Sequence, residues 1–370
     1  MAERVLMKGN DAIAEAAIRA GVQCYFGYPI TPQNELTAYM AKHMMEKGRT
    51  FIQAESEVAA VNMVYGAASA GVRTMTSSSS PGISLKQEGI SYLVGAELPA
   101  VLVNIVRGGP GLGNIAPSQA DYFQAVKGGG HGDYHMVVYG PSTVQEAADL
   151  TMKAFDVADR YRNPVMILGD AILGQMMEPL VFSPYTSIPV DKPWAVGGER
   201  KGRKPNLINS LSLEEGVIEE WNWKFKKKYD EMRAHELMVE TVNTADADII
   251  LISYGSTARI CRSVMVAARK KGLKVGLIRP ITLWPFPYAV LAQAAETTKE
   301  FVVVEMSLGQ LVEDVKLAIL DKAALHFHGR PGGGIPEEKD IHEILEHVLV
   351  RKRQGNKITT RGTVIDWEVS

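Results

Sequence analysis

Four short polar stretches carry side chains able to move protons or hold anions. Tyr28-Pro29-Ile30-Thr31-Pro32 sets one hydroxyl between two prolines, and Glu55-Ser56-Glu57 sets a serine between two carboxylates. Ser77-Ser78-Ser79-Ser80 is a run of hydroxyls within a polar turn (76–82), and Arg107 stands directly ahead of GGPGLGN (108–114). A carboxylate in a cleft suits general acid–base work. A guanidinium suits a planar carboxylate, which it meets through paired hydrogen bonds. Each residue alone has a plainer reading. Thr31 could cap a helix that starts at Pro32, and Glu57 could be a first-turn carboxylate favoured by the helix dipole. Arg107 could form a salt bridge to Asp121 or Glu97. Their shared position decides between these readings.

Each stretch sits where an apolar run ends. The strand Val22–Gly27 leads into the Thr31 turn, where the prolines push Ile30 and Thr31 out of helical geometry. Thr50–Ala54 delivers Glu55–Glu57, Val72–Thr76 delivers the serines, and Pro99–Val106 (PAVLVNIV) delivers Arg107. Between them lie helical stretches at 7–21, 58–71 and 82–93. Asn10 or Asp11 caps the first, and Gly21 and Gly71 close the first two. Alternating strands and helices predict a parallel sheet covered on both faces. In such a sheet the carboxyl ends of the strands lie on one edge, where ligands bind. Ser142–Arg160 continues the pattern as an amphipathic helix, and Asn163–Gly169 as a further strand.

Two other features compete for attention. GGPGLGN matches neither phosphate-loop spacing, so a flexible loop that lets backbone approach a ligand fits it better. His131 and His135 flank Asp133 in a glycine-rich stretch with no rigid scaffold for zinc, so no metal site is assigned and a substrate-proximal or interface loop is preferred.

The whole chain sets bounds on function. It has 370 residues, 46% apolar and 22% charged, with a formal net charge of −2. That describes a globular protein of two domains, with no reason to expect nucleic acid or an anionic membrane as partner. No apolar run is long enough to span a bilayer, and Met1-Ala2-Glu3-Arg4 begins no signal peptide, so the cytoplasm is the expected location. The two cysteines, Cys24 and Cys261, read as core thiols. They are too few for an iron–sulfur cluster, which needs four ligands.

Composition shifts at Glu178. Residues 1–177 are expected to form the first domain and 178–244 a linker with a Trp-bearing helix (214–239) and a basic run at 199–204. Residues 245–370 then form a second α/β domain, opening with the strand and Gly turn of DIILISYGS (248–256).

Taken in order, YPITP (28–32), ESE (55–57), SSSSPG (77–82), EG-x-SYL-x-GAELP (88–99) and RGGPGLG (107–113) resemble the pyrimidine-domain (α) subunit of the thiamine-diphosphate-dependent 2-oxoacid:ferredoxin oxidoreductases. YGS (254–256) and LIRPITLWPFP (277–287) resemble that family's transketolase-C-terminal-like domain, so the likeness covers nearly the whole chain. It is nearest to the branched-chain (2-ketoisovalerate) type, with the 2-oxoglutarate and pyruvate types as neighbours. The resemblance implies an α/β thiamine-diphosphate-binding fold and oxidative decarboxylation of a 2-oxoacid to an acyl-CoA, with ferredoxin reduced. It makes Glu57 the carboxyl group on the aminopyrimidine, with Glu55 as internal rival. It gives Thr31 and Arg107 to the substrate, and sets Tyr28, Pro29, Ile30, Ser79 and Ser80 against the cofactor.

The family's diphosphate motif is missing: Gly169-Asp170-Ala171 is a partial start with no asparagine at the required distance. The resemblance therefore implies a partner (β) subunit that holds the diphosphate and Mg2+. It further implies γ and ferredoxin-like δ subunits, with [4Fe-4S] clusters carried by partners and coenzyme A as co-substrate. Readings from other classes are a non-catalytic protein that keeps a thiamine-like pocket, and a CoA- or nucleotide-binding regulator.

Overall fold

The computed structural model describes residues 4–197 and 204–353, so residues 199–203 of the basic run lie outside the described residues. Two sheets organise the chain. The larger has seven strands in the spatial order Thr282–Trp284, Val137–Tyr139, Pro164–Asp170, Ala100–Val106, Thr74–Ser78, Cys24–Gly27, Thr50–Gln53. All neighbours are parallel except the first pair, which is antiparallel. Ala100–Val106 lies at the centre with every residue buried, as a strand covered on both faces requires. Its parallel partners place Val106 opposite Asp170 and Asn104 opposite Ser78. The expected carboxyl edge is therefore present.

The smaller sheet has five strands in the order Ala324–Gly329, Glu300–Glu305, Ile249–Ile252, Val275–Pro280, Val239–Val242, the last antiparallel. The helix Gly255–Lys270 packs on it through Cys261, Val264, Met265 and Ala268. No helix among the described residues is long and apolar enough to cross a membrane.

The differences from the sequence reading have local causes. The helix after the Thr31 turn starts at Asn34, not Pro32, with Gln33 at its cap position. Thr31 caps nothing; its Oγ1 accepts from Asn34 Nδ2 at 3.1 Å. Asn10 and Asp11 lie inside the first helix, which begins at Gly9. Asn10 Nδ2 instead donates to the Pro32 carbonyl at 2.8 Å, tying that helix to the turn. Ser77 and Ser78 belong to the strand Thr74–Ser78, so the polar turn is shorter than its composition suggests.

Arg4–Lys8 and Met177–Val181 form an antiparallel ribbon that the reading did not foresee. Pro179 at its middle argues against a strand from sequence, yet an edge ribbon tolerates it. Val137–Tyr139 and Thr282–Trp284 are too short to announce themselves by periodicity. The stretch read as a linker carries part of the ribbon at one end and the edge strand Val239–Val242 at the other.

Candidate active site

The site grows from the carboxyl ends of four parallel strands. After Thr50–Gln53 the chain turns through Glu55, which is exposed, into Glu57, which is 6% exposed. Ser56 caps the helix Glu57–Ser69 by accepting from Ala59 N–H at 3.1 Å, so Glu57 is its first residue. The helix dipole there favours a carboxylate. No hydrogen-bond donor among the described residues meets the Glu57 side chain. Burial separates the two candidates: Glu57 faces inward and Glu55 faces water.

Gly82, near the start of the helix Pro81–Gly95, shows why a glycine is needed. A Cβ there would come within 2.1 Å of Ser78 Oγ and 2.5 Å of Glu57 Oε1. The same point is thus lined by the carboxylate and a serine hydroxyl. Ser78 Oγ and Ser79 Oγ are both buried without a hydrogen-bond partner. Ser80 takes a strained backbone, with φ at 23°, held by its neighbours. Its N–H donates to Asn104 Oδ1 at 3.1 Å, and its Oγ accepts from the Arg107 N–H at 3.0 Å. Asn104 also donates to Asp121 at 2.9 Å; burial raises the Asp121 carboxyl above its ordinary range.

Arg107 is joined to Thr31 directly. Its Nη1 donates to the Thr31 carbonyl at 3.0 Å and its Nη2 to the Leu112 carbonyl at 2.9 Å, while Nε is buried without an acceptor. Among the described residues no carboxylate pairs with it. Asp121 is engaged by Asn104, and Glu97 pairs with Lys224 and Lys228. Neither anticipated salt bridge forms. The loop GGPGLGN is braced rather than loose. Asn114 N–H donates to the Gly108 carbonyl at 2.9 Å and Asn114 Nδ2 to the Gly332 carbonyl at 2.8 Å, while Leu112 is left 82% exposed. Tyr28 and Pro29 are exposed at the rim and Ile30 is half-buried, its carbonyl accepting from Gln33 N–H at 3.1 Å.

Beneath these groups lies a polar layer that the sequence reading missed. Tyr25 hydroxyl touches Ser77 Oγ at 2.5 Å and Thr37 Oγ1 at 3.0 Å, and Ser77 donates to Gln33 at 2.6 Å. Lys86 is fully buried, with Nζ donating to Thr76 Oγ1 at 2.6 Å and to the Ser77 carbonyl at 3.0 Å. Its signal was legible: Ile83, Lys86 and Ile90 recur at helical spacing, so a lysine sits on an inward face.

The remaining candidates lie elsewhere. His135 is stacked on Trp284, ring centroids 4.6 Å apart, with Tyr229 at its edge, and burial pulls it down to about 4. His131 is exposed, its ring 6.3 Å from that of Tyr92, so the two histidines do not converge. Asp170 caps its own turn, accepting from the Ile172 and Leu173 N–H groups and from Ser256 Oγ at 2.5 Å. It has the role of a structural cap.

Known proteins share this fold. Residues 15–243 match the family described as pyruvate flavodoxin/ferredoxin oxidoreductase, thiamine diphosphate-binding. Residues 247–341 match the pyruvate:ferredoxin oxidoreductase core domain II. Ketoisovalerate oxidoreductase subunit VorB of Methanothermobacter marburgensis is 51% identical over 345 residues, covering 93% of this chain and 97% of that one. The 2-oxoglutarate synthase subunit KorA of Methanothermobacter thermautotrophicus is 35% identical, covering 93% and 99%.

Among solved structures, the 2-oxoglutarate:ferredoxin oxidoreductase from Magnetococcus marinus, with 2-oxoglutarate, coenzyme A and succinyl-CoA bound, superposes with a TM-score of 0.85 at 27% identity. The match covers 94% of this chain and 65% of that one. A split-gene transketolase, an inactive β4 tetramer, shares the fold with a TM-score of 0.59 at 14% identity, covering 92% and 96%. The chain belongs to the thiamine-diphosphate-binding pyruvate flavodoxin/ferredoxin oxidoreductase family and is a subunit of a 2-oxoacid:ferredoxin oxidoreductase.

Proposed function

We propose that this subunit grips the aminopyrimidine half of thiamine diphosphate and, with partner subunits, oxidatively decarboxylates a branched-chain 2-oxoacid. One observation carries the reading. Glu57 is 6% exposed and meets no hydrogen-bond donor among the described residues; Ser78 Oγ, set against the same point as Glu57 Oε1, and the neighbouring Ser79 Oγ are buried without partners. Such groups are costly to leave alone in a folded chain. A flat heteroaromatic ring with nitrogen acceptors and an amino group would satisfy all three. The residues therefore fit the group.

When bound, thiamine diphosphate supplies the electron sink that lets a 2-oxoacid lose CO2. Glu57 shares a proton with a ring nitrogen, a role that needs a carboxyl group and is beyond an amide. Arg107 offers its guanidinium to the 2-oxoacid carboxylate, and its unpartnered Nε leaves a donor free for that purpose. Thr31 and Ser80 fix the arginine from both sides through its guanidinium and its backbone. Tyr28, Pro29, Ile30, Ser79 and Ser80 line the cofactor's approach.

The chain's own aspartate candidate for the diphosphate motif, Asp170, is consumed as a cap. We assign Mg2+ and the diphosphate to a β subunit, and the [4Fe-4S] clusters to a ferredoxin-like δ subunit. A γ subunit, coenzyme A and ferredoxin complete the reaction. The division of residues into 1–177, 178–244 and 245–370 remains our working scheme for this assembly.

The test is reconstitution. The complete complex, offered a panel of 2-oxoacids with viologen as acceptor, should turn over 3-methyl-2-oxobutanoate fastest. A preference for 2-oxoglutarate or pyruvate would reassign the substrate. Tight thiamine diphosphate binding by the isolated chain would end the split-site scheme.

A further inference from the structure

The catalytic scheme leaves Lys86 unused. It lies one helical turn beyond Gly82, on the face that meets Glu57 and Ser78. Its two hydrogen-bond partners, Thr76 Oγ1 and the Ser77 carbonyl, are neutral. Among the described residues it takes part in no ion pair. An ammonium enclosed in this way is disfavoured, and a methionine or leucine would fill the same space without the desolvation. A lysine with no further task would extend to the surface and keep its charge in water.

The groups around Lys86 narrow what that task is. From the strand beneath come Thr76 and Ser77, with Tyr25 of the next strand behind Ser77 and kept neutral by burial. From the neighbouring helix comes Glu57. It is the charged group that acts on Lys86 and opposes the burial that pulls the ammonium down to about 7.

We propose that Lys86 is a positioning residue that acts through Glu57: its buried ammonium is the fixed counter-charge of the Glu57 carboxylate. The inference rests on the reading of Glu57 as proton carrier. A proton given up by Glu57 to a ring nitrogen of the cofactor would leave a carboxylate on a side chain only 6% exposed. The Lys86 ammonium balances that charge without itself moving. With Lys86 neutral or absent, the proton stays on Glu57.

The experiment is a pair of titrations on the full chain. With 13C-labelled glutamate, Glu57 is assigned as the carboxyl signal lost in Glu57→Gln. In Lys86→Met the Glu57 midpoint should rise by about one pH unit or more, a tenfold change in proton affinity. The other glutamates should stay in place. A Glu57 midpoint unchanged within about 0.2 unit overturns the proposal.

Should Lys86→Met fail to fold, the reciprocal measurement stands by itself. With 13Cε-labelled lysine, the Lys86 midpoint in Glu57→Gln should fall below that of the unsubstituted chain, and an unmoved midpoint is fatal. In the reconstituted complex, Lys86→Met should also move the acid limb of the kcat profile to higher pH, which a merely structural lysine would not do. These titrations report the pairing whether or not Glu57 serves the cofactor. Turnover surviving in Glu57→Gln would refute the catalytic reading alone.

Discussion

At the seam between the two sheets, Asp170, Glu305 and Asp314 are buried and every one is met by donors. At the carboxyl edge of the first sheet, Glu57 is nearly as buried and meets none among the described residues. Glu305 accepts from Ser307 Oγ and from the N–H groups of Gln310, Leu311 and Val312. Asp314 receives Tyr122, Lys127 and Tyr288. Gln119 spans the same seam, donating to the Tyr254 carbonyl and accepting from Met306 N–H and Thr257 Oγ1. A carboxylate wrapped in donors is finished: it holds structure and has no capacity left for a ligand. A carboxylate with none is an open valence. The contrast separates structural acids from the one we propose for chemistry without any appeal to motif.

Four substitutions sharpen or break this contrast. The largest effect belongs to Glu57→Gln, which should lower turnover of the reconstituted complex by about 10²–10⁴-fold, the usual worth of a positioned proton carrier. Its melting temperature should fall only modestly: no hydrogen bond among the described residues is lost, but Lys86 loses the charge that opposes its burial. Exchange of the C2 proton of bound thiamine diphosphate measures the step itself, with Glu55→Gln as control.

Glu305→Ala should do the reverse, costing about 3–5 kcal/mol in denaturant unfolding because several backbone donors lose their acceptor in a dry interior. A mild loss there would erase the distinction between the regions.

Third, Lys86→Met should raise stability, on the order of 2 kcal/mol at pH 6. The sign follows from linkage. Burial, opposed by Glu57, lowers Lys86 to about 7 from an ordinary 10.5. Below that value the folded protein carries the full burden of a buried ammonium. Between it and the ordinary lysine range the unfolded chain holds the extra proton, so the native state gains stability as pH rises. The advantage of methionine should shrink over that window, and urea unfolding at pH 6 and 9 reads it directly. The smallest effect is Arg107→Lys: KM for the oxoacid up roughly tenfold through loss of the bidentate fork, with stability lowered by no more than about 1–2 kcal/mol for the Thr31 and Leu112 contacts. A destabilised variant with unaltered KM would move Arg107 to the structural side of the comparison.

The edge was far more legible than the seam, for a physical reason. Thr31, Glu57, Ser78 and Arg107 each follow an apolar run, and strand ends in a parallel sheet converge by topology alone. Glu57 was separable from Glu55 only by burial, which a two-residue offset does not reveal. The seam rests on partners far apart in sequence, such as Tyr122 with Asp314 and Gln119 with Tyr254, and no local pattern announces them. Asp121 and Glu97 were reasonable partners for Arg107 by charge, but Asn104 and the lysines of the helix Val217–His235 had claimed them. The serine run looked like a turn because its composition is polar. Pairing with Val103 and Asn104 makes half of it strand.

The strand Thr282–Trp284 pairs antiparallel with Val137–Tyr139 and so finishes the first sheet with residues from the second half of the chain. Its consequence falls in the time domain of synthesis. About 145 residues must be made after Tyr139 before Trp284 exists, which at roughly 5–20 residues per second takes about 7–30 s. Throughout that interval the nascent sheet carries an uncovered apolar border, Val137-Val138-Tyr139, that a second nascent chain could occupy. Expression hosts that stall between those two points should accumulate aggregated fragments, while fragments ending beyond residue 284 carry their own cover.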